Sequence, residues 1–183
     1  MKTYLRSFFS VLSAALLAAV VLPEAAVQAA KTGPRETEAQ LAKNDEKFVL
    51  MVSQGGMTEV RLGELAREKA TRPEVKEFGA MMATDHSKVD SELRSFASGR
   101  GITLSAMLDR KHAAKVERLS KLSGAEFDKE YVEEVVKDHR KVVDAFEDAS
   151  KDAADPALKT WATKTLPTLQ AHLERIEAIQ KQK

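Results

Sequence analysis

Two Asp-His pairs, Asp85-His86 and Asp138-His139, stand 53 residues apart in similar surroundings, FGAMMATDHSKV and YVEEVVKDHRKV. Each histidine follows an aromatic by eight residues and lies on an apolar stripe of helical period. His172 holds a third such position, four before Ile176 and three after Leu169, and Glu59 lies on the stripe Phe48, Val52, Gly55, Glu59, Leu62, Ala66. Imidazoles with a carboxylate are ordinary ligands for one ion of iron, zinc, copper or manganese. A helical bundle core is a usual place to assemble them. Asp85 and Asp138 precede their histidines by one residue, so they point about 100° away and suit partners of ligands better than ligands.

The elements that must position these groups are helices. The first runs from about Gln40 to Ala70 and is broken at Thr71-Arg72-Pro73, since the residue before proline avoids the α region. The second carries Val75, Phe78, Met82, His86, Val89, Leu93 and Phe96 on one stripe and stops at Gly99-Arg100-Gly101. Glu59 and His86 are each about 13 residues from Pro73, so an antiparallel pair sets them at a similar level. Ser105 to Leu122 reads as a shorter third helix of ~27 Å, with Met107 and Leu108 on its apolar side and His112 in solvent. The fourth carries Phe127, Tyr131, Val135, His139, Val142 and Phe146. Asp155-Pro156 then caps and opens the fifth, through Leu158, Trp161, Thr165, Leu169, His172, Ile176 and Ile179. Pro73-Glu74-Val75-Lys76-Glu77-Phe78 is echoed by Pro156-Ala157-Leu158-Lys159-Thr160-Trp161, so the two hairpins look related.

Three features carry alternatives. A small rotation of the first helix would turn Val60 inward and leave Glu59 at the boundary. Gly55-Gly56 costs on the order of 1 kcal/mol per glycine in a helix, which points to a close helix approach or a local break. Pro167 removes one backbone hydrogen bond a turn before His172 and predicts a kink. The inward polar residues themselves admit a second reading, a buried network that fixes helix register in a non-catalytic envelope or interaction module.

Residues 1–29 have the form of a secretory signal peptide: Lys2 and Arg6, an apolar run from Phe8 to Leu22, and Val27-Gln28-Ala29 before cleavage after Ala29. The run is shorter than the ~20 residues of a membrane span, so a periplasmic protein without a transmembrane segment is expected. Residues 30–39 read as a flexible leader, and residues 40–183 as one bundle domain. The chain has no cysteine, which excludes disulfides and thiolate metal sites. Cleavage would leave acidic and basic residues in balance, unlike the basic footprint of a nucleic-acid binder.

Three segments, GGMTEVRLGELAREKATRPEVKEFGAMMATDH, FDKEYVEEVVKDHRKVVDAFE and DPALKTWATKTLPTLQAHLERI, closely resemble the signatures of a bacterial exported family, domain-of-unknown-function family 4142, of the ferritin-like superfamily. The resemblance implies an all-α, ferritin-like four-helix bundle of two antiparallel hairpins, with an additional short helix in the crossover. The Glu-x-x-His motifs of metal-active ferritin-like proteins are absent: Ala83, Val136 and Leu169 stand three before His86, His139 and His172. A di-iron enzyme is therefore disfavoured. One metal ion or small ligand held by Glu59, His86, His139 and His172, with Asp85 and Asp138 behind them, is the reading expected, in metal handling or stress tolerance. An envelope protein or a second copy of the chain is a further candidate partner.

Overall fold

A proline at the first helical position has no N–H to leave unpaired, and both helical hairpins turn on one. The computed structural model describes residues 41–182, so the signal-peptide and leader assignments lie outside it. It contains α1 (Lys43–Lys69), α2 (Pro73–Ser98), α3 (Arg110–Ser120), α4 (Gly124–Asp152) and α5 (Pro156–Lys181), with no strand among the described residues. α1 pairs with α2 and α4 with α5. The hairpins face each other through α1 against α4 and α2 against α5, and α3 lies over α1 and α4. This is the ferritin-like four-helix bundle, with α3 carrying the crossover between its ends.

α3 is shorter than the sequence pattern predicts. Asp109 accepts a hydrogen bond from the His112 amide at 2.9 Å and so starts the helix there. Met107 lies before that cap and is 77% exposed, so it was not a core position. α5 remains helical through Pro167.

The hairpins clasp one another at both ends through a matched pair of buried aspartates. Asp128, in the first turns of α4, accepts from the amides of Thr71 (3.0 Å) and Arg72 (3.0 Å) and from the Thr71 hydroxyl, and so covers the exposed amides where α2 begins. Asp45, in the first turn of α1, accepts from the amides of Ala154 (3.2 Å) and Asp155 (2.8 Å), where α5 begins. Asp155 itself caps Ala157 and Leu158 and is gripped by Arg100 at 2.8 and 3.2 Å. Asp45 and Asp128 are 83 positions apart, as are Pro73 and Pro156. The hairpins are thus structural repeats in an 83-residue register, and the 53-residue echo of the Asp-His pairs joins α2 to α4, which are not counterparts.

Helices α1 and α2 come into close contact at Gly63 and Gly79, where a Cβ on Gly63 would lie 2.5 Å from the Gly79 carbonyl oxygen. Neither alternative expected at Gly55-Gly56 is seen: a Cβ at either would meet nothing within 4 Å, and α1 runs through both without a break. The core divides in two. Leu62, Phe78, Met82, Tyr131, Val135 and Ile176 belong to one apolar cluster, and Val49, Val52, Leu93, Phe146, Leu158 and Leu169 to the other. Each fully buried large side chain contributes roughly 1.5–3 kcal/mol. Between the clusters lies a layer of polar residues.

Asp128→Ala would strip acceptors from two backbone amides at once and is expected to lower stability by about 2 kcal/mol. Asp128→Asn, which keeps one carbonyl acceptor, should recover part of that. Urea denaturation of the two variants against the parent measures both.

Candidate metal centre

The polar layer is built from one turn of each long helix. His86 follows Met82 by four on α2, His139 follows Val135 by four on α4, and His172 precedes Ile176 by four on α5, so each ring projects from an apolar stripe. His139 is fully buried, His172 is 3% exposed and His86 5%. Their ring centroids form a triangle with every side 5.6 Å. One ring nitrogen from each lies within 4.8 Å of the other two.

Hydrogen bonding fixes which nitrogen is free in two of the three rings. His139 Nδ1 is 3.1 Å from the Val135 carbonyl oxygen. That oxygen only accepts, so Nδ1 holds the proton and Nε2 keeps its lone pair. His172 Nε2 is 3.0 Å from Asp85 Oδ2, and by the same logic its Nδ1 is the free nitrogen. His139 Nε2, His172 Nδ1 and His86 Nε2 are all buried without a partner. Each unmade hydrogen bond costs ~1–3 kcal/mol in such a place. Burial, then the neighbouring histidines, holds the His86 imidazole well below its usual range. His139 is lowered to about 4, by burial and then by His172, against the bond to Val135. Burial also lowers His172, and the Asp85 carboxylate opposes it. All three rings are therefore neutral at neutral pH, the state in which imidazole binds a metal.

Glu59 is 6% exposed, so α1 presents it inward and Val60 is only partly buried. Its Oε1 lies 4.0 Å from His139 Nδ1, the nitrogen already bonded to Val135, and its Oε2 has no partner. Glu59 thus sits behind the His139 ring and outside the converging trio. Burial first, and then Asp138, raises its pKa to about 8, with Lys115 opposing. Asp85 reaches across from α2 to the α5 histidine, a partner that sequence position does not reveal. Asp138 turns away from the histidines and pairs with Lys115 of α3, which also holds Glu134 at 2.8 Å.

Two residues were missed. Tyr131 is fully buried, stacks on Phe127 at 5.7 Å and leaves its hydroxyl without a partner; burial and then Glu59 push its pKa well above the usual value. Its stripe position signalled core, and nothing local signalled the stranded hydroxyl. His112, expected in solvent, is partly buried and lines a cavity beside Glu59 and His86.

The residues fit a metal in donor type, number and protonation. Metal–nitrogen bonds of ~2.0–2.1 Å bring imidazole nitrogens about 3.4 Å apart around a tetrahedral ion. From nitrogens within 4.8 Å of one another, the trio would contract by up to about 1.4 Å to hold an ion.

The profile of the family described as "Domain of unknown function (DUF4142)" matches residues 30–179. No curated protein matches the chain. Among solved structures, a DUF305 fragment from Deinococcus radiodurans superposes with TM-score 0.66 at 15% identity, over 76% of this chain and 97% of that one. CopM in the Cu(I)-bound form superposes with TM-score 0.60 at 17% identity, over 73% of this chain and 93% of that one. For CopM in the Cu(II)-bound form the score is 0.62 at 16% identity, with the same coverage of 73% and 93%. These likenesses show a shared all-α fold.

The charge states set a pH profile for chelator-stripped protein. The unfolded chain protonates its histidines near pH 6.5, whereas His139 in the fold holds out to about 4, so stability falls as pH drops through that interval. His139 alone accounts for about 3 kcal/mol. Glu59 acts in the opposite sense: the fold keeps its proton to about pH 8 and the unfolded chain only to about 4.5, so stability falls as pH rises between them. Urea midpoints from pH 4 to 9 should peak near 6.5. Glu59→Gln should remove the alkaline decline and steepen the acid limb, because between about pH 4.5 and 6.5 Glu59 offsets the histidines.

Proposed function

The chain belongs to the DUF4142 family, and from that premise we propose that it is an exported bundle that binds one copper ion through His86, His139 and His172. The observation that carries this is the convergence of three buried, neutral imidazoles, each with one nitrogen lacking any partner. A network built only to fix helix register would pair those nitrogens with one another or with the backbone. Here each ring spends one nitrogen at most on an anchor and leaves the other free.

Copper is favoured over the alternatives by ligand chemistry and by charge. Manganese prefers oxygen donors, and no carboxylate joins the trio. Iron and zinc accept imidazole, but both enter as divalent ions, and the cost of desolvating an ion in a buried layer rises steeply with its charge. Cu(I) carries a single charge and is satisfied by three neutral nitrogens. The CopM structures of the same fold, described in Cu(I)- and Cu(II)-bound forms, lend support at the level of scaffold. In this arrangement Asp85 orients His172 and the Val135 carbonyl orients His139, as anchors behind ligands do in metal sites. Glu59 then serves as a proton-bearing neighbour of His139. Residues 1–29 would deliver the protein to the periplasm, where a site of this kind suits copper handling under metal stress.

Elemental analysis of untagged protein purified from the periplasm without chelators tests the reading. Near-stoichiometric copper is expected, lost in His86→Ala/His139→Ala protein whose far-UV circular dichroism is unchanged. Another metal at that stoichiometry would overturn the copper assignment. Absence of metal, with no uptake of Cu(I), Cu(II), Zn(II) or Fe(II) on titration, would return the layer to a structural role.

A further inference from the structure

The histidine trio has a structural twin. In the 83-residue register that matches Asp45 to Asp128 and Pro73 to Pro156, the counterparts of His139, His86 and His172 are Gly56, Leu169 and Val89. All three line a single cavity of about 230 Å³, and so does Val142, the counterpart of Glu59. The opening has a physical origin. Where α4 places an imidazole, α1 places a hydrogen atom, and a Cβ at Gly56 would meet nothing within 4 Å.

The cavity's chemistry is divided. Val52, Val89, Val142, Phe146 and Leu169 form an apolar wall. The rim, between α1, α3 and α4, carries the exposed Lys111 and Lys141, neither with a carboxylate partner among the described residues, and the partly buried Lys115, paired with Asp138. At the inner end Glu59, 6% exposed, offers Oε2 with no hydrogen-bond partner. Empty apolar cavities of about 150 Å³ admit benzene, and a single water needs only ~10–15 Å³. We propose that this cavity is a binding site for a small organic monocarboxylate with an apolar or aromatic body. The lysines at the rim draw in and hold the carboxylate, and the body fills the space above Gly56 against Phe146 and Leu169. The site stands on α1, α3 and the apolar wall, so it does not depend on a metal at the histidines.

Benzoate is a fitting probe, with benzyl alcohol as its neutral counterpart. Isothermal titration of chelator-stripped protein should show saturable, salt-weakened benzoate binding in preference to benzyl alcohol. Gly56→Leu places a side chain in the open space at a position where leucine is also the better helix former, so the fold is expected to hold. It should abolish benzoate binding and leave metal uptake by the histidines as in the parent. Lys111→Gln/Lys141→Gln, at exposed positions, should weaken benzoate about fivefold and flatten its salt dependence. No saturable binding to the parent, equal binding to Gly56→Leu, or equal affinity for benzyl alcohol would overturn the proposal. Metal content measured on the same samples reports separately on the histidine site.

Discussion

Three buried imidazole nitrogens that no protein group pairs are the constraint around which this bundle is arranged. At ~1–3 kcal/mol each, their unmade hydrogen bonds amount to a large fraction of a typical domain's stability of 5–15 kcal/mol. Two apolar clusters, on either side of the layer, supply the compensation, and the partly buried Leu173 packs against both. The bundle is therefore two cores joined by a polar floor. What holds the floor's level is the pair of reciprocal clasps at the ends, because Asp45 and Asp128 fix how far each hairpin can slide along the other.

That layout explains why the histidines stay neutral and aimed. His139 is pinned by a carbonyl of its own helix, so its direction is set as soon as α4 forms. His172 is pinned by Asp85 of the other hairpin, so its direction is set only when the hairpins dock. A ring tied to its own helix and a ring tied across the interface together make the trio a product of tertiary assembly. An unfolded chain can offer the same side chains but not the same convergence, which is why occupancy of such a site would stabilise the fold.

Much of this was legible in the sequence because helical period converts position into direction. His86, His139, His172 and Glu59 all lie inside, where their stripes put them, and Pro73, Asp155 and Pro156 mark the turns they predict. What could not be read depends on contacts between helices. Nothing near Asp138 reveals that Lys115 will claim it, and nothing near Asp85 reveals that its partner is a histidine 87 residues away. The α3 boundary was misplaced because Met107 and Leu108 fit an apolar period that Asp109 interrupts with a cap. Gly55-Gly56 and Gly63 look alike as letters. Only the packing shows that Gly63 is where two backbones meet and that Gly56 is where nothing does.

The last point bears on how the molecule divides its labour. In a bundle of two related hairpins, any inward position has a counterpart in the other half, and a side chain gained on one side can be matched by space on the other. Here the half-layer with His139, His86 and His172 is filled and polar, and the half with Gly56, Leu169 and Val89 is open and apolar. His86 borders both, since it also lines the cavity. The two halves therefore share a wall although their chemistry differs. Of the trio only His86 lines the cavity, so the polar half and the open half meet at a single side chain and each keeps its own chemistry.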